Sequence, residues 1–235
     1  MASFRITVLS TPVSGETNSV VSGQSAQVQV EALDSFGGTI PGYRGTVHFS
    51  TLDTQATLPA DYTFTAADAG SHAFSLTLKT VFGSLATRDI TVQDVGTGVS
   101  SIQRIFVWFQ VRMDVERWQN CDFNGCPNPG SYNCQTSCNP NGFASPAQFV
   151  AVTQSGLCNR GIVLKAQQPG GAWASAATTI QDCGPRTCSN PYWSTGTVPT
   201  VGGCLTDLLA TNLGIPNGCN GSVPFGTATI QWRFQ

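Results

Sequence analysis

All nine cysteines of this 235-residue chain fall between Cys121 and Cys219, and all five tryptophans lie from Trp108 onward. The preceding residues contain neither type, yet they hold both histidines, His48 and His72. A single core drawn evenly from the chain would not sort its residues so sharply. The partition calls for two modules of different construction, each long enough to bury its own core.

Nine cysteines packed into roughly 100 residues are too many for a reduced cytosolic domain. Cys121, Cys126, Cys134, Cys138, Cys158, Cys183, Cys188, Cys204 and Cys219 therefore read mainly as a disulfide framework, which implies export. The spacings Cys134-x3-Cys138 and Cys183-x4-Cys188 come near those of zinc knuckles, but the surrounding Gly, Asn and Pro turns suit disulfide loops as well. An odd count leaves one thiol unpaired or paired between molecules. No metal or cofactor is expected.

Net charge is −2 and there are only two lysines, Lys79 and Lys165, so the composition offers no basic stripe for nucleic acid or an anionic membrane. No stretch approaches the roughly 20 apolar residues of a spanning helix, so membrane insertion is not expected. The start Met1-Ala2-Ser3-Phe4-Arg5 lacks a signal-peptide core. With disulfides implied, the expectation is a secreted or surface protein whose export signal has been trimmed.

Residues 4 to 94 alternate apolar and polar side chains in short runs broken by Gly, Pro, Asp and Ser. The runs Phe4–Leu9, Ala26–Ala32, Gly45–Ser50, His72–Leu78 and Thr87–Val92 predict strands of an antiparallel sandwich. The segments Gly42-Tyr43-Arg44-Gly45-Thr46-Val47-His48-Phe49, Leu58 to Thr65 and Asp68 to Phe74 resemble bacterial immunoglobulin-like modules. The resemblance implies a spacer or adhesive stalk over residues 1–97, with further such repeats or surface proteins as partners. Asp53, Asp61 and Asp68 could gather as a calcium site at one loop end, although turn chemistry explains them better.

Residues 95 to 103 read as a small polar linker. After it Ile105, Val107, Phe109, Val111, Met113 and Val115 alternate with polar and aromatic residues, predicting one long strand within 98–120. From Cys121 to Pro146 the chain reads as loop. Strands return at Phe149–Thr153, Gly161–Ala166, Ala176–Gln181 and Thr227–Phe234, and a short helix fits Thr206 to Leu213, stopped by Gly214.

Three pieces of residues 121–235 share an order with a known barrel. They are the strand and turn Thr178 to Pro185, the segment Cys204-Leu205-Thr206 through Gly214, and the closing strand Ala228 to Phe234. Together they resemble the six-stranded double-psi β-barrel of expansins, rare-lipoprotein-A-like proteins and family-45 endoglucanases. The whole chain is thus expected to be all-β, an immunoglobulin-like β-sandwich followed by a disulfide-rich double-psi β-barrel.

The resemblance implies that Asp182 is the essential group, acting as general acid to a glycosidic oxygen or as a hydrogen-bonding group on the glycan. Such an acid needs a carboxyl whose pKa an apolar cleft can raise. Tyr192 and Trp193, with Trp173 in the Gly-rich turn from Pro169 and Tyr132 in the cysteine loop, are candidate platforms for sugar rings. Trp193 could equally cover a disulfide core.

Two departures bear on mechanism. The Asp of the family's Asp-Leu-Ser segment falls on Cys204, and the endoglucanases' Tyr-x-Asp-Cys segment is best matched by Tyr132-Asn133-Cys134. An inverting hydrolase needs a second carboxylate about 6.5 to 9.5 Å from the acid, and Asn133 cannot serve. Asp207 suits a helix N-terminus, which leaves Asp122 as the uncommitted partner. No histidine follows His72, which excludes a Ser-His-Asp or Cys-His nucleophile and a histidine-brace copper site in the second half.

The leading expectation is expansin-like, non-hydrolytic binding and loosening of a cell-wall glycan, cellulose-like or peptidoglycan. The enzyme alternative is a lytic transglycosylase or endoglucanase using Asp182. The third is a structural surface or adhesion protein.

Overall fold

The computed structural model describes residues 1–10, 16–81, 86–116, 133–134, 143–144, 150–152, 159–168, 170–183, 201–206, 209, 213 and 227–235; for 114–116, 133–134, 143–144, 150–152, 181–183, 201–206 and 227–228 the description is of backbone alone. It is all-β, and the chain divides into two units, Met1–Trp108 and the described residues from Phe109 to Gln235.

In the first unit, alternation decides which side chains go inside. β1 (Ser3–Val8), β3 (Ala26–Leu33) and β6 (Ser71–Leu76) form one antiparallel sheet in the order β1-β3-β6. β4 (Thr46–Thr51), β5 (Tyr62–Thr63), β7 (Thr87–Asp94) and the start of β8 (Ser100–Glu116) form the other, in the order β8-β7-β4-β5. The short β2 (Ser19–Val21) runs parallel to β8 through Ser19–Val21 opposite Phe106–Trp108. Phe4, Ile6, Val28 and Val30 from the first sheet and Val47, Phe49, Ile90 and Val92 from the second are buried. Phe49 and Phe74 meet edge to face across the sheets, with centroids 4.8 Å apart.

The expected strands of this half are present, each within a few residues. The expected linker is not. Residues 95–99 form the turn of a hairpin, closed by Asp94 N–H to the Val99 carbonyl at 2.9 Å and Gly98 N–H to the Asp94 carbonyl at 2.8 Å. Ser100–Gln103 then pair with Ile90–Gln93 as strand residues. Small polar residues there read as linker because their strand role is invisible locally: Ser101 Oγ accepts the Phe4 N–H at 2.8 Å from the opposite sheet.

The second unit takes the rest of β8, from Phe109, and adds β11 (Val150–Val152), β12 (Gly161–Gln167), β13 (Trp173–Cys183), β14 (Val201–Thr206) and β15 (Thr227–Phe234). A two-residue ladder joins β9 (Asn133–Cys134) to β10 (Phe143–Ala144). The six longer strands pair in the order β14-β11-β13-β12-β15-β8, and β14 also pairs with β8. The ladder therefore closes into a ring with no free edge. Two contacts, β11 with β13 and β14 with β8, are parallel; the other four are antiparallel.

Inside the ring, Phe109, Met113, Ile162, Leu164, Trp232 and Phe234 are fully buried. Each such side chain contributes about 1.5–3 kcal/mol on burial. Small closed barrels are filled this way rather than hollow, so chemistry must be sought on the outer face or rim. The helix expected over 206–213 falls mostly outside the described residues; Thr206 ends β14, and Leu213 N–H donates to the Leu209 carbonyl at 3.0 Å.

Candidate functional site

β13 runs longer than its apolar core suggests, and this changes the setting of two predicted residues. Trp173 does not lie in the Gly-rich turn but is the first residue of β13, half-buried and paired with Gln167. Just before it, Gln168 N–H donates to the Ala172 carbonyl and Gly171 N–H to the Gln168 carbonyl, both at 2.8 Å, with Gly171 at φ +83° where a side chain would be strained. Asp182 is likewise inside β13, one residue before its end.

At Asp182 the ladder slips. Val150 pairs with Ile180, but the next residue, Ala151, pairs with Asp182, so Gln181 is an extra residue on β13. A bulge of this kind locally breaks alternation and re-aims the strand, and bulges concentrate beside functional sites. By the register, Asp182 shares a row with Ala151 and not with buried Ile180. The row continues to Cys204 on β14 and to Asp114 on β8.

Strands lie about 4.8 Å apart, so the backbones of Asp182 and Cys204, two steps apart, are about 10 Å from each other. Asp114 is three steps from Asp182 in either direction round the ring, on its far side. It is too distant for the 6.5–9.5 Å pair of an inverting hydrolase. Sequence reasoning had not counted Asp114 among the second unit's carboxylates; the alternation of β8 past Phe109 was the available signal.

Asp122, Tyr132, Tyr192 and Trp193 lie outside the described residues, as do Cys121, Cys126, Cys138, Cys158, Cys188 and Cys219. Of the remaining cysteines, Cys134 is on β9, Cys183 on β13 and Cys204 on β14.

In the first unit, Asp53, Asp61 and Asp68 have separate local roles. Among the described residues no three His, Cys, Asp or Glu side chains group as a metal site. Asp53, 3 % exposed, accepts from Gln55 N–H (3.0 Å), Lys79 N–H (2.6 Å), Thr80 N–H (3.0 Å) and Thr80 Oγ1 (2.5 Å). Burial pushes its pKa up, but the bonds from Thr80, Lys79 and Gln55 outweigh that and hold it below the ordinary value. Arg88 donates to the Thr80 carbonyl (2.7 Å) and to Thr80 Oγ1 (3.0 Å) behind it.

Asp68 accepts from the Thr65 amide (2.6 Å) and hydroxyl (2.8 Å) and from Tyr62, and lies 2.7 Å from His72 Nδ1. The Thr65 amide is the leading cause of its strongly lowered pKa, with His72, the Thr65 hydroxyl and Tyr62 adding to it against burial. Tyr62 stacks on His72 at 4.1 Å. Asp61 lies 2.7 Å from exposed His48. These are turn and strand-end anchors.

Two buried charged residues that the strand pattern concealed are Arg88 and Asp94, at the two ends of β7 on its core side. Asp94 accepts from Tyr43 Oη and from the Thr97 amide at 2.7 Å. Burial raises the Asp94 pKa, yet the bonds from Tyr43 and Thr97 bring it below the ordinary value. Burial first, then Asp94, pushes Tyr43 upward. Both ends of the core are thus sealed by satisfied polar pairs. No protein-family model matches this chain, and no curated protein sequence matches it.

Proposed function

We propose that this is a secreted or cell-surface protein that binds and loosens a cell-wall polysaccharide without net hydrolysis, in the manner of expansins. The ring of six strands with mixed pairing supports a double-psi β-barrel for the second unit. The sheet orders of the first unit, with β2 parallel to β8, support an immunoglobulin-like sandwich acting as a spacer.

The observation that carries the functional reading is the bulged row at Asp182. Among the described residues of that row the carboxylate at the bulge is Asp182, with Cys204 two strands away where a paired mechanism would want a second and Asp114 on the far side of the ring. By itself Asp182 can hydrogen-bond a glycan or protonate a glycosidic oxygen, but one carboxylate cannot also activate water as a separate base. Tyr192, Trp193, Trp173 and Tyr132 are the proposed sugar platforms, and the nine cysteines the proposed cross-links of an extracellular fold.

The test is incubation of the purified protein with insoluble cellulose and with peptidoglycan, scoring bound protein and soluble sugars for wild type and Asp182→Asn. Binding without products, weakened in the variant, is the expected result. Products that vanish in Asp182→Asn would make the protein a lytic transglycosylase or endoglucanase. No binding to either glycan would leave an adhesion or structural role.

A further inference from the structure

The sheet β1-β3-β6 ends at β6, and its register fixes which backbone groups face outward there. The Gly70 carbonyl accepts the Ala32 N–H at 2.9 Å, after which Val30 pairs with His72, Val28 with Phe74 and Ala26 with Leu76. Amide and carbonyl directions alternate along a strand. The groups of His72, Phe74 and Leu76 therefore turn toward β3, and those of Ser71, Ala73 and Ser75 turn away from it. Thr77, next in the outward set, exchanges both backbone hydrogen bonds with Thr57, at 2.8 and 2.9 Å.

Thr57 thus stands where a fourth strand would begin. The chain then leaves through Leu58-Pro59, and proline has no amide with which to continue a ladder. Among the described residues no further strand pairs with β6, and the amides and carbonyls of Ser71, Ala73 and Ser75 take no hydrogen-bond partner. Ala73 and Ser75 are exposed.

Sheet edges are ordinarily blunted by charge, proline, bulges or brevity. On β1 the Phe4 amide is already taken by Ser101 Oγ at 2.8 Å, and Arg5 stands 3.2 Å from Glu31 as a charged edge residue. β2 and β5 are only three and two residues long. β6 runs for six residues with no Lys, Arg, Pro or register shift. Its outward side chains are small, and the Ser71 and Ser75 hydroxyls accept from Gln29 (2.7 Å) and Gln27 (2.5 Å) of β3, away from the edge.

Such an edge is its own complement. Antiparallel pairing about a two-fold axis sets outward-facing residues opposite one another, each pair exchanging two hydrogen bonds. Centred on Ala73, it matches Ala73 with Ala73 and Ser71 with Ser75 on both sides. A register shifted either way loses a pair, because Thr57 already holds Thr77 at one end, while Ala69 and Gly70, at φ +47° and +83°, turn the chain aside at the other. Behind the joined edges the rows continue to Gln27, Gln29 and Glu31, and Arg5 neutralises Glu31, so no like charges meet.

We infer that two copies of this protein associate through β6 as a two-fold dimer, which joins two three-stranded sheets into one. The inference is independent of the glycan-binding reading. The ladder is short, so the interface belongs at the weak end of specific contacts.

Sedimentation equilibrium of the full chain from about 1 µM to about 500 µM should show monomer passing to dimer. Over the same range, hydrogen exchange in peptides covering Ser71–Leu76 should slow, while exchange in those covering Ser3–Val8 stays constant. Ala73→Pro removes the central donor of each copy and no bond within the chain. It should weaken the dimer at least about tenfold and leave the melting temperature of dilute protein unchanged. If that variant melts early, Ala73→Lys, which sets two like charges across the axis from an exposed position, carries the test. A monomer at every concentration overturns the inference, as does a dimer that neither variant weakens, such as a disulfide through the odd cysteine would give.

Discussion

Replacing Asp53 with alanine is the sharpest probe of how the first unit is held closed. The carboxylate is 3 % exposed and accepts four hydrogen bonds, three from backbone amides and one from Thr80 Oγ1. Alanine leaves the buried Thr80 amide and the half-buried Lys79 amide without their acceptor, at about 1–3 kcal/mol for each fully buried donor. The Gln55 amide belongs to an exposed residue and reaches water at little cost. Arg88, 4 % exposed, also loses its nearby negative charge, and breaking a buried charged pair from one side typically costs about 3–5 kcal/mol. The two routes describe the same loss and agree on about 3–5 kcal/mol, a large part of the 5–15 kcal/mol typical of a domain. Urea unfolding followed by hydrogen exchange in peptides covering Ala26–Leu33 and Thr87–Asp94 reads this unit by itself. Asp53→Asn, which keeps one acceptor oxygen, should cost clearly less than Asp53→Ala. A loss below about 1 kcal/mol for alanine, or equal losses for the two variants, would refute the argument that this carboxylate anchors Thr80 and Arg88.

At the other end of β7, a Cβ on Gly45 would collide with Asp94 Oδ2 and Tyr43 Oη. Gly45→Ala should therefore destabilise by about 1–3 kcal/mol, and Tyr43→Phe, which removes one of the colliding atoms, should make the double variant less costly than the sum; thermal denaturation of the four proteins decides. Asp53, Asp68 and Asp94 all have folded pKa values below the ordinary one. Their stabilisation is complete above the unfolded carboxylate value of about 3.9 and is lost as pH falls through the lower folded values. Stability should thus be flat from about pH 7 to 5 and fall steeply below about pH 4, with a shallower fall in Asp53→Asn; a decline already under way between pH 7 and 5 would contradict this.

Much of the strand content was legible in the sequence. Thr227–Phe234 was read at its true limits, and five strands of the first half within a few residues. Short or mixed strands escaped: Ser19–Val21 is too brief to show a period, and Val201–Thr206, with Gly202 and Gly203, lacks one. The candidate site was legible as a residue and not as a geometry. Asp182 was found from its place beside a turn, but its bulge opposite Ala151 and its row with Cys204 depend on partners some 30 residues away along the chain in one direction and 20 in the other.

By itself the sequence determined the β character and the inward set of most strands, because alternation with a period of two is written residue by residue. Only the tertiary structure decided what pairing decides. It turned an apparent linker into a hairpin, closed six strands into a ring, and put Asp114 on the far side of that ring from Asp182. Interstrand hydrogen bonds join any donor to any acceptor of suitable backbone shape, so partner and register are fixed by the closing of the whole core and not by local side chains.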